Sequence, residues 1–289
     1  MTAPRPAAAP LAPRLRWPRR PLAWDIVGRT LLVGVVLAYV GVLVLAPLVS
    51  LLAGAFGRGL APFVAALTAP DVIQAFGLTL RIALICVVVH ALCGTALAWV
   101  LVRGEPRLPF RWLLNGLIDL PFAVSAVVVG YMLLLLFGRN GWLAPVLAPL
   151  GLRVAFAMPG MVLATLFVTL PFMVRELMPV LAAFGVEQEQ AAATLGASGW
   201  QTFWLVTFPA LRWGFLYGLT LTFARALGEF GAVLVVGGGV QGSTETATLF
   251  IFRALDERDY IGAYSVAVAL GALSLLLVSG IDLIRHRRR

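Results

Sequence analysis

Six stretches of this chain are too long and too apolar to be the interior of a water-soluble domain. They cover about residues 28–56, 74–102, 112–137, 156–174, 213–236 and 261–284, and consist mainly of Leu, Val, Ala, Ile and Phe. A helix rises 1.5 Å per residue and the hydrocarbon core of a bilayer is about 30 Å thick, so about 20 apolar residues are enough to cross it. Inside hydrocarbon a backbone must satisfy its own N–H and C=O groups, which leaves helices or closed barrels, and continuous apolar runs rather than alternating ones select helices. The expected fold is therefore an all-α integral membrane protein with six spans. Charged residues make up only 12% of the chain, half the usage of soluble proteins, which is about 25%.

The few charges carry direction. The formal charge is +9 and all 22 basic residues are arginine. A nucleic-acid surface would need these arginines on a soluble face; here they flank apolar runs, so anionic membrane lipids are the expected partner, with no nucleic acid. Arg58, Arg139, Arg153, Arg253 and Arg258 fall in the loops on one side, whereas fifteen arginines, including those of both chain ends, fall on the other. The positive-inside rule then places both termini and the segment 185–212 in the cytoplasm. Residues 1–21, rich in Pro, Ala and Arg, read as a disordered cytoplasmic tail, and 22–289 as the transmembrane domain. Without lysine the chain has neither a Walker A phosphate loop nor a Schiff-base nucleophile, so if ATP drives it, another chain must bind the nucleotide.

The segment 185–212, GVEQEQAAATLGASGWQTFWLVTFPALR, is built for a partner. Glu187 and Glu189 favour the start of a helix over about 186–195, Gly196 a left-handed stop, and Ser198 the cap of a second helix. In that second helix Trp200, Phe203, Trp204 and Thr207 share one side, and Pro209 is expected to end it. Small residues at Ala191, Ala192 and Gly196 permit close approach, and the aromatics offer anchors.

Other polar residues lie within the spans. Arg225 and Glu229, in ARALGEFGA, are four apart and belong on one helix face near mid-membrane, where a charge costs about 2.5–3.5 kcal/mol. They read either as a buried ion pair fixing helix register or as pathway groups, with Arg225 favouring anions. Asp119, Pro121 and Ser125 make a polar, kinked stretch in the third span that faces a cavity, and Pro159 and Pro171 are expected to bend the fourth. Arg81 reads as a residue reaching to the outer headgroups. Cys86, His90 and Cys93 share one face but lack a fourth ligand for zinc; packing with a hydrogen-bonded histidine is preferred, and no metal or cofactor is expected on this chain. Residues 246–255 form a candidate short outer helix, followed by the charged run from Asp256 to Asp259.

The segment 185–212 resembles the cytoplasmic EAA loop of ABC-importer permeases. Gln190, Ala191, Ala192, Gly196, Val206, Phe208 and Pro209 occupy the motif positions, with Gln190 in place of the usual Glu and Glu189 one residue early. The stretches DLPFAVSAVVVG, FAMPGMVLATLFVTLPFMVREL and FARALGEFGAVLVVGG extend the resemblance to permeases of sulfate importers, most of all the W-type. The resemblance implies a type I importer permease fold and a bacterial inner-membrane location. It implies docking of Glu189, Gln190, Ala191, Ala192, Gly196, Trp200 and Pro209 on a separate ATPase dimer, which uses ATP and Mg. It further implies a second permease chain, either a homologous T-type partner or a second copy, and an extracytoplasmic sulfate-binding protein, because the outer loops are too short to fold one. Sulfate or thiosulfate is the implied cargo; molybdate or tungstate is the alternative, since molybdate permeases share ARALGEFGA. The rival of another class is a secondary anion transporter driven by an ion gradient, against which stands the lack of a clear internal repeat.

Overall fold

The computed structural model describes residues 23–104 and 110–286; the expected tail, Arg107 and residues 287–289 lie outside the described residues. Among the described residues the secondary structure is helical. In chain order the helices are α1 (Ala23–Val40), α2 (Ala46–Phe56), α3 (Leu60–Leu67), α4 (Pro70–Val89), α5 (Thr95–Arg103), α6 (Arg111–Ala123), α7 (Ala126–Phe137) and α8 (Ala144–Leu147). There follow α9 (Met158–Phe184), α10 (Glu187–Thr194), α11 (Gly199–Thr202), α12 (Phe208–Leu227), α13 (Gly231–Gly237), α14 (Ala247–Asp256) and α15 (Tyr260–His286). Single π-turns, Gly41–Leu45, His90–Gly94 and Phe203–Thr207, join α1 to α2, α4 to α5 and α11 to α12 without ending the helix.

Four uninterrupted helices are long and apolar enough to cross a membrane, Gly28–Phe56, Pro70–Arg103, Met158–Phe184 and Tyr260–Leu283. The two remaining expected spans are each a bent pair of helices: α6 and α7 meet at 114°, and the helix ending at Leu227 meets α13 at 56°. The bend in the third span forms even though Ala126, not proline, follows Ser125. Val124 and Ser125 are both extended, and Pro121 has already removed one N–H from the last turn of α6.

By its internal contacts the chain falls into two units, up to Ser50 and from Leu51 onward. In the first, every described side chain from 28 to 50 is exposed except for the half-covered Gly41 position. A helix apolar on all sides with no protein cover is matched to lipid or to another chain.

The second unit is organised around α9. Met161, Ala164, Thr165, Val168, Thr169, Met173, Val174, Leu177 and Leu181 recur at steps of three and four and are buried, the period of one helix face. Their neighbours come from α4, α5, α6, α7, α12 and α13. Threonines on this face satisfy themselves within the helix, Thr165 donating to Met161 O at 2.9 Å and Thr169 to Thr165 O at 2.7 Å. His90 Nε2 lies 2.9 Å from the Thr169 hydroxyl, so it is a hydrogen-bonded bundle histidine. Cys86 is buried and Cys93 exposed, on different surroundings despite their spacing.

Three sequence expectations need correction. Pro159 sits in the first turn of α9 and Pro171 lies within an uninterrupted helix; at a helix start the missing N–H of proline costs nothing, so no bend follows from Pro159. The fourth span also runs on to Phe184. Finally, Pro209 does not end the second hairpin helix, because it occupies the first turn of α12, directly after the π-turn. There the Phe208 N–H reaches back five residues to Phe203 O, and the widened turn makes room for the proline ring without a break.

Candidate functional site

Two groups of the expected functional residues are gathered by this fold, at opposite ends of one rod. The rod is the continuous helix from Gly199 to Leu227, about 40 Å long at 1.5 Å per residue.

At its beginning is the hairpin. α10 ends in a Schellman motif: Gly196, at φ +87°, donates to Ala193 O at 3.0 Å, and Ala197 donates to Ala192 O at 3.0 Å. Ser198 and Gln201 then form a capping box, with Ser198 N donating to Gln201 Oε1 at 2.8 Å and Gln201 N to Ser198 Oγ at 3.4 Å. The expected turn and cap are thus both present. Gln190, Ala191, Gly196, Trp200 and Pro209 are exposed, and Ala192 is half-buried. Leu195, Trp200 and Leu205 are 89%, 72% and 75% exposed; the two leucines were not singled out from the sequence, although each adjoins a motif position.

Glu189 departs from its expected place among the docking residues. Its carboxylate points into the bundle, where Arg103 Nε of α5 lies 3.1 Å from Oε2 and the Thr207 hydroxyl donates to Oε1 at 3.0 Å. Arg103 also donates to Gly185 O and lies over the Trp99 ring, whose other contact is Phe203, edge-on at 5.6 Å. A carboxylate left unpaired here would be costly, and Arg103 is the cation within reach. Glu189 therefore ties α5, α10 and the π-turn together behind the exposed face. Arg103 and Thr207 were invisible to motif reading because they lie 86 and 18 residues from Glu189.

At the other end of the rod Arg225 and Glu229 meet, Nη1 to Oε2 at 2.8 Å, as an ion pair lacking hydrogen-bond alignment. They do not share a helix face. α12 stops at Leu227, and Glu229 lies in the break before α13. Arg225 occupies the last turn of α12, and Glu229 Oε1 accepts from Ala232 N at 3.2 Å in the first turn of α13. Each charge is thus on the favourable pole of its helix dipole, which explains why a break is stable here. Glu229 is buried and Arg225 one-third exposed. The Thr248 hydroxyl donates to Glu229 O at 2.7 Å, and a cavity of about 10 Å³ beside the carboxylate is lined by Thr79, Thr165 and Thr246. Thr79 in turn accepts from Ala247 N at 2.8 Å. None of these threonines was identified from the sequence; buried Thr at helical spacing is the signal that marks them.

The break in the third span abuts this one. A Cβ on Gly231 would lie 3.1 Å from Ala126 Cβ, and one on Gly130 would lie 2.8 Å from Ala232 O. Glycine at these positions is what lets α7 and α13 pack backbone against backbone.

Asp119 and Ser125 do not join Arg225 and Glu229. Asp119 accepts from Arg175 Nε of α9 at 2.8 Å, half exposed, and Arg175 is ten residues beyond Thr165, about 15 Å along α9. Ser125 is exposed at the start of α7, and its side chain makes no capping bond.

Near the N-terminus of α4, Arg253 holds three carboxylates: Glu245 at 2.7 Å, Glu257 at 2.8 Å and Asp71 at 3.1 Å. Hydrogen bonding to Glu245, above all, keeps its guanidinium protonated more firmly than usual. The expected short helix is α14, and two of the four charges in the run that follows are held locally. Glu257 pairs with Arg253, and Asp259 Oδ1 accepts from Gly262 N at 3.1 Å at the start of α15. Arg81 lines an open cavity of about 350 Å³ together with Asp71, Gln74, Ser243 and Glu245. No group of three or more His, Cys, Asp or Glu able to hold a metal occurs among the described residues.

Against known proteins, the model of the binding-protein-dependent transport system inner membrane component family matches residues 92–289. The chain is 48% identical to "Sulfate permease 2, chloroplastic" of Chlamydomonas reinhardtii, over 86% of this chain and 66% of that protein. It is 45% identical to the "Sulfate transport system permease protein CysW" of Synechococcus elongatus, over 85% of each. To the CysT permease of Escherichia coli it is 38% identical, over 90% of this chain and 93% of that one. A crystal structure of a bacterial alginate ABC transporter, in complex with an alginate-bound periplasmic protein, has the same fold, with a TM-score of 0.74. It is 17% identical over 92% of this chain and 97% of that one.

Proposed function

The chain belongs to the family of binding-protein-dependent transport system inner membrane components, and on that footing we propose that it is the permease subunit of an ATP-driven sulfate importer of the bacterial inner membrane. Thiosulfate is an equivalent cargo by shape and charge. The observation that carries the subunit role is the hairpin, fixed from behind by Arg103 and Glu189 while Leu195, Trp200 and Leu205 stay bare in front. Exposed aromatic and leucine side chains on a rigid mount are what a protein partner uses as anchors. The anion itself rests on similarity to the sulfate permeases.

In this reading a separate ATPase dimer, using ATP and Mg, grips the hairpin at Gln190, Ala191, Ala192, Gly196, Trp200 and Pro209, and closes on nucleotide binding. The rod from Gly199 to Leu227 carries that displacement to the break at 228–230, where the abutting bends of two spans can open or shut a central path. This chain does no covalent chemistry. Its greater similarity to CysW than to CysT supports the W position in a pair with a T-type chain, and an extracytoplasmic binding protein delivers the anion. Both termini and the hairpin then face the cytoplasm, in keeping with the arginine bias.

Uptake of labelled sulfate, thiosulfate and molybdate by cells lacking this chain, with and without its ATPase, tests the reading. Restored uptake of sulfate that needs the ATPase is expected; restoration of molybdate alone moves the chain to the molybdate permeases, and uptake that follows an ion gradient without the ATPase overturns the class. Single cysteines at Ser198 and Ser243, in a background without Cys86 and Cys93, should label from opposite sides of the membrane. Labelling of both from outside intact cells refutes the orientation.

A further inference from the structure

Residues 138–157 join α7 to α9 at the end of α9 away from the hairpin, about 40 Å from it along the helix. They enclose one side of an open cup of about 740 Å³, lined among others by Phe137, Arg139, Leu147, Leu152, Arg153 and Phe156. Its charge is of one sign. No Asp or Glu occurs between Asp119 and Glu176, and among the described residues neither Arg139 nor Arg153 has a carboxylate partner. Arg103, Arg175, Arg225 and Arg253 are each paired. A second cavity, beside Arg81, has Asp71 and Glu245 in its wall as well, so its charge is mixed.

The surroundings of the two arginines are apolar and uncovered. Trp142 is 85% exposed, and Val146, Leu150, Leu152 and Phe156 are exposed as well. α7 ends at Phe137 and α9 begins at Met158, so with α9 crossing the bilayer this lobe falls beside its outer end, near the layer of lipid phosphates. Tryptophan and arginine are the side chains suited to that layer, one by its amphipathic ring and the other by a long stem ending in a charged fork.

We infer that this cup binds the phosphate group of an anionic phospholipid, held between the guanidiniums of Arg139 and Arg153, with Trp142, Val146 and Leu150 against the upper acyl chains. A guanidinium donates two parallel bonds to phosphate oxygens, so two of them can hold the singly charged phosphodiester of an anionic lipid from both sides. A small inorganic oxyanion would satisfy the arginines but leave the apolar rim in water, whereas a lipid covers both. The inference needs only that the chain crosses a membrane, and holds whichever anion is transported. The occupant would bear on the broken span, because the rim is fastened to it. Phe156, at the unusual φ of +54°, donates to Val236 O at 2.7 Å, and a Cβ on Gly238 would lie 3.0 Å from its ring.

The test uses the whole transporter in nanodiscs of phosphatidylglycerol and phosphatidylcholine in roughly equal parts, with native mass spectrometry of the lipids that stay bound on release. The wild type should retain phosphatidylglycerol preferentially. Each of R139Q and R153Q should weaken that preference by about fivefold, the effect of one basic contact near a lipid surface. The double variant R139K/R153K, which keeps both charges but loses the paired bonds, should fall between the wild type and R139Q/R153Q, and R58Q, an exposed arginine outside the cup, should leave it unchanged. Only assembled complexes are compared, so a misfolded variant does not count as a loss. The inference fails if R139Q/R153Q keeps phosphatidylglycerol like the wild type or if R58Q loses as much. It fails equally if millimolar sulfate or phosphate displaces the lipid, since the cup is then a site for free oxyanions.

Discussion

The two arginine–glutamate pairs of this chain do different work with the same chemistry. Arg225 and Glu229 are four residues apart, and the carboxylate is almost fully buried. Arg103 and Glu189 are 86 residues apart, with side chains 11% and 15% exposed. The first pair is local and stabilises the ends of the two helices between which the chain bends. The second fastens one element to another and leaves the bend alone. A local pair therefore governs whether its helices fold as they do, and a long-range pair governs how motion passes between parts already folded. A third pair, Arg175 with Asp119, is 37% and 50% exposed and should do little of either.

The largest effect should come from breaking the local pair on one side. Glu229→Leu leaves Arg225 without its partner and Ala232 N without its acceptor, a loss that reaches about 3–5 kcal/mol for buried pairs in soluble proteins. The amount of assembled complex should fall steeply. Arg225→Met with Glu229→Leu together should be milder than Glu229→Leu alone, and strictly additive losses would refute the pairing. If the double variant assembles but takes up no anion, Arg225 serves the pathway as well as the fold.

Next comes the long-range pair. Glu189→Gln and Arg103→Ala should each cost about 1–3 kcal/mol locally, the cost of a charged hydrogen bond lost from a half-buried place. Because the docking face stays bare and intact, the ATPase should still co-purify while uptake drops. The double variant should lose less than the sum of the single ones, as both remove the shared link, while Arg103 alone also gives up Gly185 O and Glu189 alone its bond from Thr207. Loss of co-purification along with uptake would instead make Glu189 part of the contact surface.

Gly196 gives a smaller, sharper comparison. Its φ is +87° and open space surrounds the place where a Cβ would sit, so backbone strain of about 1–2 kcal/mol is the whole expected penalty. Gly196→Ala and Gly196→Leu should therefore reach the membrane in equal, normal amounts, with uptake impaired more by leucine, which also meets the ATPase at the turn, and least by Gly196→Asn. Leucine no worse than alanine would take Gly196 out of the gripped surface. Least of all, Asp119→Asn should change stability by no more than about 1 kcal/mol and leave uptake near normal; a large loss of uptake would return Asp119 to the pathway.

Much of this architecture is legible in one dimension. Gly196 and Ser198 announce a helix stop and a cap because both are local backbone devices, and each is found where the pattern puts it. The pairing of Arg225 with Glu229 is legible too, although for the wrong reason: spacing of four suggests a common face, whereas Gly228 ends the helix between them. Pro209 misleads in the opposite direction, since a π-turn five residues wide accommodates it and no residue type announces such a turn. Hydropathy misleads about burial as well. Pro70–Arg103 is more apolar than Met158–Phe184, yet a third of its most apolar window is covered by protein against half for Met158–Phe184. In a bilayer the apolar side chains face lipid, and small residues and threonines mark protein contact.

The sequence by itself determined that this is an all-helical membrane protein with four to six apolar spans, and where the hairpin after α9 turns, because apolar run length and capping are properties of neighbouring residues. Only the tertiary structure decided where these carboxylates went: Glu189 inward to Arg103, Asp119 to Arg175, and Asp71 and Glu245 to Arg253. Those choices follow from which helices cross at which height, and a period along one helix records the face that is buried but not the residue that will be waiting opposite it.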